Sequence, residues 1–449
     1  MKRIIFISLS LTFAASCSDY LETSSTDSVS GTEIFASDQA ALTAINGAYA
    51  LLWRTSFVSG NSTHAIGHQS TLLAEDLMAD DMVQMAFNWF GPDYALEYTS
   101  VISISNASRS YNLWNMYYTL ISNANYIIAE DGQIGANSYT AQSVVAQAYA
   151  LRAFSYFELV QVFQKTYLGH ELDPGVPIYT LPTRAGDEGK PRGTVADVYA
   201  IINSDLERAI EIFTDIDKPR QEHCSHIDYY VARGLQARVA LVQGRWQEAS
   251  DAARDARSCL SVKVLPPADL SSGMSDKSLA TSLWAMEVIT DQSSIYGSIY
   301  CFLDARTSTA YGYGQRKCIS SWLYRHVAKF GAADARTAWF YDEKQGSASN
   351  GDRVNYGQKK RLARVLASWV GDVIFMRGEE LLLVEAEAKV RVGRPDSAII
   401  LLQELAKERL TTDSARTAYT ALLNGLNTAV LVLPDNTNTD PKSVLEEVL

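Results

Sequence analysis

LQARVALVQGRWQEASDAARDA, residues 235–256, decides the fold, because VEAEAKVRVGRPDSAIILLQEL at 384–405 repeats its grammar. Ala237 falls on Ala386, Gly244 on Gly393, Arg245 on Arg394 and Ala249 on Ala398, each at an offset of 149. Both stretches read as helix, Gly-Arg turn, helix, with small residues where two helices must approach closely. In tetratricopeptide-type hairpins each unit leaves an apolar face for its neighbour to cover. Copies this far apart predict an interrupted array, with an insertion from about residue 260 to 373. The insertion is rich in Ser, Gly and Tyr, and alternation such as Ser298 to Leu303 predicts short strands in it. The expected fold is mainly α, with helical hairpins and a loop-rich insertion containing a few short strands.

Working outward, apolar residues on most faces of 141–163 (Val144, Leu151, Phe154, Phe157 and Leu159 among them) predict a central helix covered on both sides. Thr194 and Asp197 form a near capping box before a helix with one apolar stripe: Val195, Val198, Tyr199, Ile202, Leu206, Ala209, Ile210 and Phe213. Gly175-Val176-Pro177 reads as a loop, and Tyr111, Trp114, Tyr118, Ile121 and Ile128 carry helical spacing. A first helix is expected from about Asp38, as N-cap, to Trp53. Between Gly60 and Thr99 periodicity falters, which predicts a long irregular excursion.

The amino terminus, MKRIIFISLSLTFAASC, reads as an export signal: Lys2 and Arg3, an apolar run too short to span a bilayer, then Ala14-Ala15-Ser16 before Cys17. A cysteine placed there predicts a lipoprotein anchored through diacylated Cys17; an ordinary secretory cleavage nearby is the alternative. Both place the protein outside the cytoplasm. Residues 1–16 are then a signal peptide, 17–37 anchor and tether, and 38–449 a single helical domain.

Hydrophobic residues make up 47% of the chain, enough for a large core. Without residues 1–16 the charge is −14, from 37 basic and 51 acidic side chains. An acidic surface repels phosphate backbones and anionic headgroups, which argues against nucleic acid and against electrostatic membrane docking. Cys224, Cys259, Cys301 and Cys318 contain no CxxC pair; three pairings or unbridged thiols are all open to them.

Nucleophile, metalloprotease and nucleotide motifs are absent, and Gly312-Tyr313-Gly314 lacks a third glycine. Acidic pairs occur at Glu75-Asp76, Asp80-Asp81 and Glu379-Glu380, and Glu385 lies near Glu387. Glycosidases need two carboxylates ~5–10 Å apart across a cleft, so adjacency alone is insufficient. For Glu380 and Glu387, two turns apart on one helix, ion pairing with Arg or Lys is expected. His223-Cys224-Ser225-His226-Ile227-Asp228 and the pair His64 and His68 lack a distant partner motif, so no metal and no cofactor is expected. Aromatic loops are better candidates. Sugar rings present flat C–H faces that stack on aromatic rings, while Asn, Asp and Arg fork onto hydroxyls. Trp89, Phe90, Tyr94 and Tyr98, near Asn88 and Asp93, form one aromatic group, of which Trp89, Tyr94 and Tyr98 are the expected ligand-binding residues. Tyr296, Tyr300, Arg306, Tyr311 and Tyr313, near Asp291, form the other.

Several pieces in order resemble the SusD/RagB-type family of outer-membrane nutrient-binding lipoproteins. They are Cys17-Ser18-Asp19-Tyr20-Leu21-Glu22, then Arg152-Ala153 with Tyr156-Phe157, Leu159, Phe163 and Gly175-Val176-Pro177. Next come Pro191-Arg192, Thr194-Val195, Val198-Tyr199, Ile202, Asp205-Leu206 and Ala209. Gly244, Trp246, Ala249, Asp334 and Arg336 follow, and Arg377, Glu380, Leu383 and Ala386-Glu387-Ala388 close the series. The resemblance implies a surface lipoprotein of the outer membrane, a lid over a SusC-like TonB-dependent transporter, that passes oligosaccharides or peptides to the channel without catalysis. A cell-surface glycoside hydrolase, or a helical-repeat scaffold without small-molecule ligand, are the alternatives. The family pattern also implies an Arg-rich helix after a stretch like Ser443 to Leu449. Asp440-Pro441 looks like a helix start, but the sequence stops at SVLEEVL. A truncated ending is therefore expected, with apolar surface near Leu405 and Leu422 left uncovered.

Overall fold

The computed structural model describes residues 37–53, 66–86, 90–96, 108–131, 138–184, 186–293, 297–304, 306, 316–342 and 355–426. Helix α1 (Asp38–Ala50) starts one residue earlier than the sequence suggests: Ser37 is the N-cap, its hydroxyl accepting from the Ala40 amide, and Asp38 lies in the first turn. A serine oxygen satisfies one orphan N–H while the carboxylate meets the positive end of the helix dipole. The helix ends at Ala50, short of Trp53.

Residues 60–99 are less irregular than expected. They contain α2 (His68–Met78), β1 (Met82–Gln84) and the single turn α3 (Gly91–Tyr94). Helix α2 buries His68, Gln69, Ser70 and Thr71 together with Leu73, Ala74 and Leu77. Polar residues on an inward face erase the apolar periodicity that announces a helix.

Next come α4 (Ser108–Ile128) and α5 (Tyr139–Phe163), then β2 (Pro174–Pro177), β3 (Arg192–Thr194) and α6 (Val195–Asp215). Helix α5 packs against α1, α4 and α6, and 18 of its 25 residues are buried, which fixes it at the centre. Gly175-Val176-Pro177 is strand rather than loop, because β2 pairs antiparallel with β3. Thr194 and Asp197 make the full reciprocal capping box that opens α6. Asp205, also buried on the α6 stripe, receives a bidentate pair of bonds from Arg152 of α5 at 2.7 and 2.6 Å. These two residues belong to the resemblance series, and they bolt the two helices together.

The chain continues with α7 (Tyr229–Val242), capped by Asp228, and α8 (Trp246–Arg257). After it come β4 (Ser282–Met286), α9 (Ile299–Leu303), β5 (Lys317–Ile319), α10 (Ser321–Val327) and β6 (Val373–Arg377). Then follow α11 (Gly378–Arg391), α12 (Pro395–Lys407) and α13 (Asp413–Asn424). The repeated hairpins match in detail. Gly244 and Gly393 both take positive φ, 70° and 77°. Arg245 N donates to Ala240 O, and Arg394 N to Lys389 O, both at 2.8 Å. This is the left-handed turn that closes a helix and that glycine adopts without steric cost. Helix α8 packs directly on α11, so the array runs on as if the stretch between them were absent. Arg238 of α7 grips Glu380 of α11 at 2.5 and 2.8 Å, and Arg257 of α8 meets Glu385 at 2.5 Å.

Near its two ends the insertion is closed by β4 running antiparallel to β6. Trp284 of β4 is fully buried, its ring 5.1 Å from Phe154 of α5 and 5.0 Å from Phe375 of β6. Each such ring removed from water contributes roughly 1.5–3 kcal/mol. Ser298 to Leu303, expected as strand, is the helix α9, with Ser298 as its N-cap. All five of its residues are buried, and full burial removes the two-sided contrast that alternation relies on. At the far end of the array, Leu405 and Leu422 stay half-buried on the wall of a groove that also holds Leu402 and Tyr419. His326, Lys329, Arg336 and Arg409 ring it. Cys224, Cys259, Cys301 and Cys318 are not bridged. Among the described residues, no helix is long and apolar enough to cross a membrane.

Candidate ligand-binding site

The first excursion and the insertion meet on one frame. Strand β1 pairs antiparallel with β5, Val83 opposite Cys318, and Ser320 N donates to Asp81 O at 2.8 Å. Phe90, fully buried, meets Phe302 of α9 edge-on at 5.3 Å. Ile299 N donates to the Gln69 side chain of α2 at 2.9 Å. Segments more than 200 residues apart in sequence, such as Gln69 and Ile299, thus hold one another in register.

Of the expected ligand residues, Tyr94 is 37% exposed at the end of α3. Its neighbour Asp93 is wholly buried in an ion pair with Arg109 at 2.9 Å, so it is a structural carboxylate rather than one that forks onto sugar. Arg306 is exposed, and buried Asp304 aims it through bonds of 3.0 and 2.7 Å. Its guanidinium also donates to Ala363 O at 3.1 Å, while Ala363 N donates to Asp304, so Arg306 is clasped to the strip around residues 358–363. Tyr300 is a core residue instead: it is 1% exposed and its hydroxyl donates to Asp372 O at 2.6 Å. The alternation that suggested an exposed ring there belongs to a buried helix. Trp89, Tyr98, Tyr296, Tyr311 and Tyr313, with Asn88, His64 and Cys17, lie outside the described residues.

Beside this frame stand five charged residues. Glu75 and Asp76 come from the last turn of α2, Lys360 and Arg361 from the strip after Gln358, and Arg377 from the end of β6. Solvent reaches all five, yet protein surrounds Glu75, Asp76 and Lys360 on most sides. None of the five side chains has a hydrogen-bond or ion-pair partner among the described residues. Asp76 nonetheless feels Arg361, Lys360 and Arg377. Opposite charges face one another across a gap wider than a salt bridge. Burial lifts the Glu75 carboxyl to about 7, raises Asp76, and pulls the Lys360 ammonium down to about 7. The Lys360 ammonium sits 4.6 Å over the ring of Trp339.

The Tyr117 hydroxyl lies 2.8 Å from His68 Nδ1 and 3.4 Å from Glu158. Burial drives His68 down to about 3 and, with the charge of Glu75, Glu158 up to about 8. His68 packs edge-on against Phe154 and Phe375, which makes it a core histidine. His226 is likewise occupied, its Nε2 2.7 Å from Asn46 Oδ1, and Asp228 caps α7. Among the described residues no group of three His, Cys, Asp or Glu is placed to hold a metal. The acidic pairs on α11 serve the helices: Glu379 meets Arg409, Glu380 meets Arg238, Glu385 meets Arg257 and Glu387 meets Arg391. Glu75 and Asp76 are adjacent on α2, and side chains at i and i+1 diverge rather than flank a bond.

The two excursions therefore offer an exposed aromatic ring and a clasped guanidinium, with unpaired charges of both signs on the neighbouring segments. Sequence reasoning did not pick out Lys360 or Arg361, and named Arg377 only as part of the resemblance series. The signal was the basic run Lys359-Lys360-Arg361-Leu362-Ala363-Arg364 in an otherwise acidic chain.

The chain is a helical array with a clasped insertion that exposes polar and aromatic groups. A family profile described as SusD-like, "Starch-binding associating with outer membrane", matches residues 19–241. A SusD-like carbohydrate-binding protein of Bacteroides vulgatus shares the fold at a TM-score of 0.72 and 22% identity, over 86% of this chain and 79% of that one. A SusD superfamily protein of Bacteroides thetaiotaomicron does so at 0.69 and 19%, over 92% and 88%. A laminarin-binding SusD-like protein follows at 0.62 and 17%, over 86% and 88%. A SusD-like protein of Formosa agariphila is 33% identical over 105 residues, 23% of this chain and 18% of that protein. Residues 19–241 thus match the SusD-like family, described as associated with the outer membrane, and the chain shares the fold of SusD superfamily structures.

Proposed function

We propose that this protein captures oligosaccharide at the outer face of the outer membrane, holds it without turnover, and delivers it to a TonB-dependent transporter of the SusC type. The observation that carries the reading is the junction of the two excursions. The β1–β5 ladder and the Phe90–Phe302 contact join the two excursions in one frame, from which Tyr94 and Arg306 are exposed. Preformed concave sites with a few aimed polar groups bind small ligands at low ordering cost. Family members named for starch, laminarin or carbohydrate binding support glycan over peptide as the ligand.

Calorimetry against a panel of polysaccharides and peptides tests this. Saccharide binding with no release of reducing ends is expected; an absence of saccharide binding across a broad panel refutes it. Attachment is assigned to lipid on Cys17. Cys17→Ala is expected to move the protein into the soluble fraction, and persistent membrane association refutes the anchor.

A further inference from the structure

One face of α4 and the chain that follows β2 enclose a cleft of about 310 Å³. Trp114, Tyr118 and Asn125 line it from the helix, and Tyr179, Arg184, Asp187 and Glu188 line it from the connecting chain. At about 100° per residue, the three helix residues lie roughly 140–180° around α4 from Arg109, whose ion pair with Asp93 ties the helix to the turn carrying Tyr94. The cleft therefore lies on the side of α4 away from that turn.

Its walls are pinned. Asn125, wholly buried, donates to Tyr179 O and Leu181 O at 3.0 and 3.1 Å, and its Oδ1 accepts from Arg152 at 2.7 Å. Arg152 is fixed in turn by Asp205, so the bolt between α5 and α6 extends to the cleft. The Tyr118 hydroxyl donates to Pro177 O at 2.7 Å, and that of Tyr126 to Thr183 O at 2.6 Å. Beyond them a turn closes on itself: Arg184 N donates to the Asp187 carboxylate at 2.7 Å, and Asp187 N to Arg184 O at 3.1 Å. The returning chain donates from Lys190 N to the Tyr179 hydroxyl at 3.0 Å. Such anchoring holds the hollow open before a ligand arrives, which lowers the ordering cost of binding.

Aromatic surface and free charge face the hollow. Trp114, Tyr118 and Tyr179 are half-buried, with ring centres 4.7 Å apart for the first two and 5.9 Å for the last two. The Arg184 and Glu188 side chains are exposed and have no hydrogen-bond or ion-pair partner among the described residues. Asp187 and Lys190, whose ammonium lies 5.4 Å from the Tyr179 ring, bring the rim to two charges of each sign, so it draws in neither anion nor cation. An uncharged ring bearing hydroxyls suits both halves: its C–H face packs on aromatic carbon, and its hydroxyls bond to the charged groups.

We infer that this cleft is a second saccharide site, taking one uncharged sugar residue against the rings of Trp114, Tyr118 and Tyr179, its hydroxyls donating to Asp187 and Glu188 and accepting from Arg184. The ligand class rests on the glycan-binding reading above, whereas the place of the site does not. Two sites on different sides of one helix grip a long polymer at two points, and the linkage raises avidity beyond that of either site.

The test is calorimetry of the whole protein with maltohexaose, laminarihexaose, cellohexaose and mannohexaose. At least one is expected to bind at two sites per chain. Arg184→Ala and Glu188→Ala are each expected to weaken one of those sites at least tenfold, and Arg306→Ala to leave that same site unchanged. Trp114→Ala is expected to abolish it; should that variant fail to fold, the two exposed positions decide. Binding that neither Arg184→Ala nor Glu188→Ala weakens, or binding of acidic saccharides alone, overturns the second site and leaves the glycan reading standing. A single site lost in these variants but kept in Arg306→Ala supports the cleft and overturns the frame of Tyr94 and Arg306 as the place of capture. No saccharide binding across the broad panel overturns both.

Discussion

Between α7 and α11, Arg238 and Glu380 touch at 2.5 Å, and between α5 and α6, Arg152 and Asp205 touch at 2.6 Å. Between α2 and the strip after Gln358, Asp76 and Arg361 sense one another without touching. The difference separates two uses of charge. A pair in contact inside a helical array returns part of its desolvation cost as orientation and register. A pair held apart returns nothing to the fold, and its energy stays available to a ligand.

The largest expected effect comes from breaking a closed pair. Asp205→Ala strands the Arg152 guanidinium in the interior, and removal of one partner of a buried pair costs about 3–5 kcal/mol. Urea denaturation is expected to show this loss with an unchanged slope; a loss below about 1 kcal/mol contradicts a bolting role.

The acid–base behaviour of the buried Glu158 and His68 comes next. Glu158 in the folded protein titrates above its ordinary 4.5, near 8, so the native state keeps a proton that the unfolded chain has lost. Its contribution to stability is complete below pH 4.5 and disappears as pH rises through about 8. His68 acts in the opposite limb: its folded value near 3 lies below its ordinary 6.5, so stability falls as pH drops from 6.5 toward 3. Glu158→Gln is expected to flatten the alkaline limb of stability against pH while leaving the acid limb, and an unchanged alkaline limb argues against the buried proton.

Smaller still is the repeat turn. Gly393→Ala puts a Cβ on a residue at φ 77° with open space around it, so only backbone strain acts, about 1 kcal/mol. The same change at Gly244 brings the new atom within 3.3 Å of Leu168 and is expected to cost more. Equal losses at the two positions would show that packing adds nothing at Gly244. Last, Asp76→Asn removes a carboxylate that no cation touches, and stability is expected to stay within about 0.5 kcal/mol of the parent or to rise. A loss comparable to that of Asp205→Ala would dissolve the distinction between touching and separated charges.

The array was legible because its determinants are local. Gly244 and Gly393, the small residues beside them and the Thr194 capping box act within a few residues of themselves, and an offset of 149 makes the repeat visible. Helix α2 escaped notice since its inward face is polar and is satisfied by distant groups such as Tyr117. Helix α9 is too short to show a helical period. The neighbourhood of Asp76, Lys360, Arg361 and Arg377 was unreadable for a third reason: these positions come near one another only after three segments have folded together. Tyr94 and Arg306 were found by residue type, but the same criterion also selected the core ring of Tyr300.

The position of Gly378 reaches beyond this one chain. A Cβ there would lie 2.9 Å from Val262, and its amide bonds to Thr281 O at 2.9 Å, so the stretch leaves and rejoins the helical spine at nearly one point. A polypeptide whose two ends meet like this behaves as a cassette. It can lengthen, shorten or be exchanged between relatives while the spine keeps its own contacts, which gives evolution and engineers a way to change what is captured without rebuilding what does the holding.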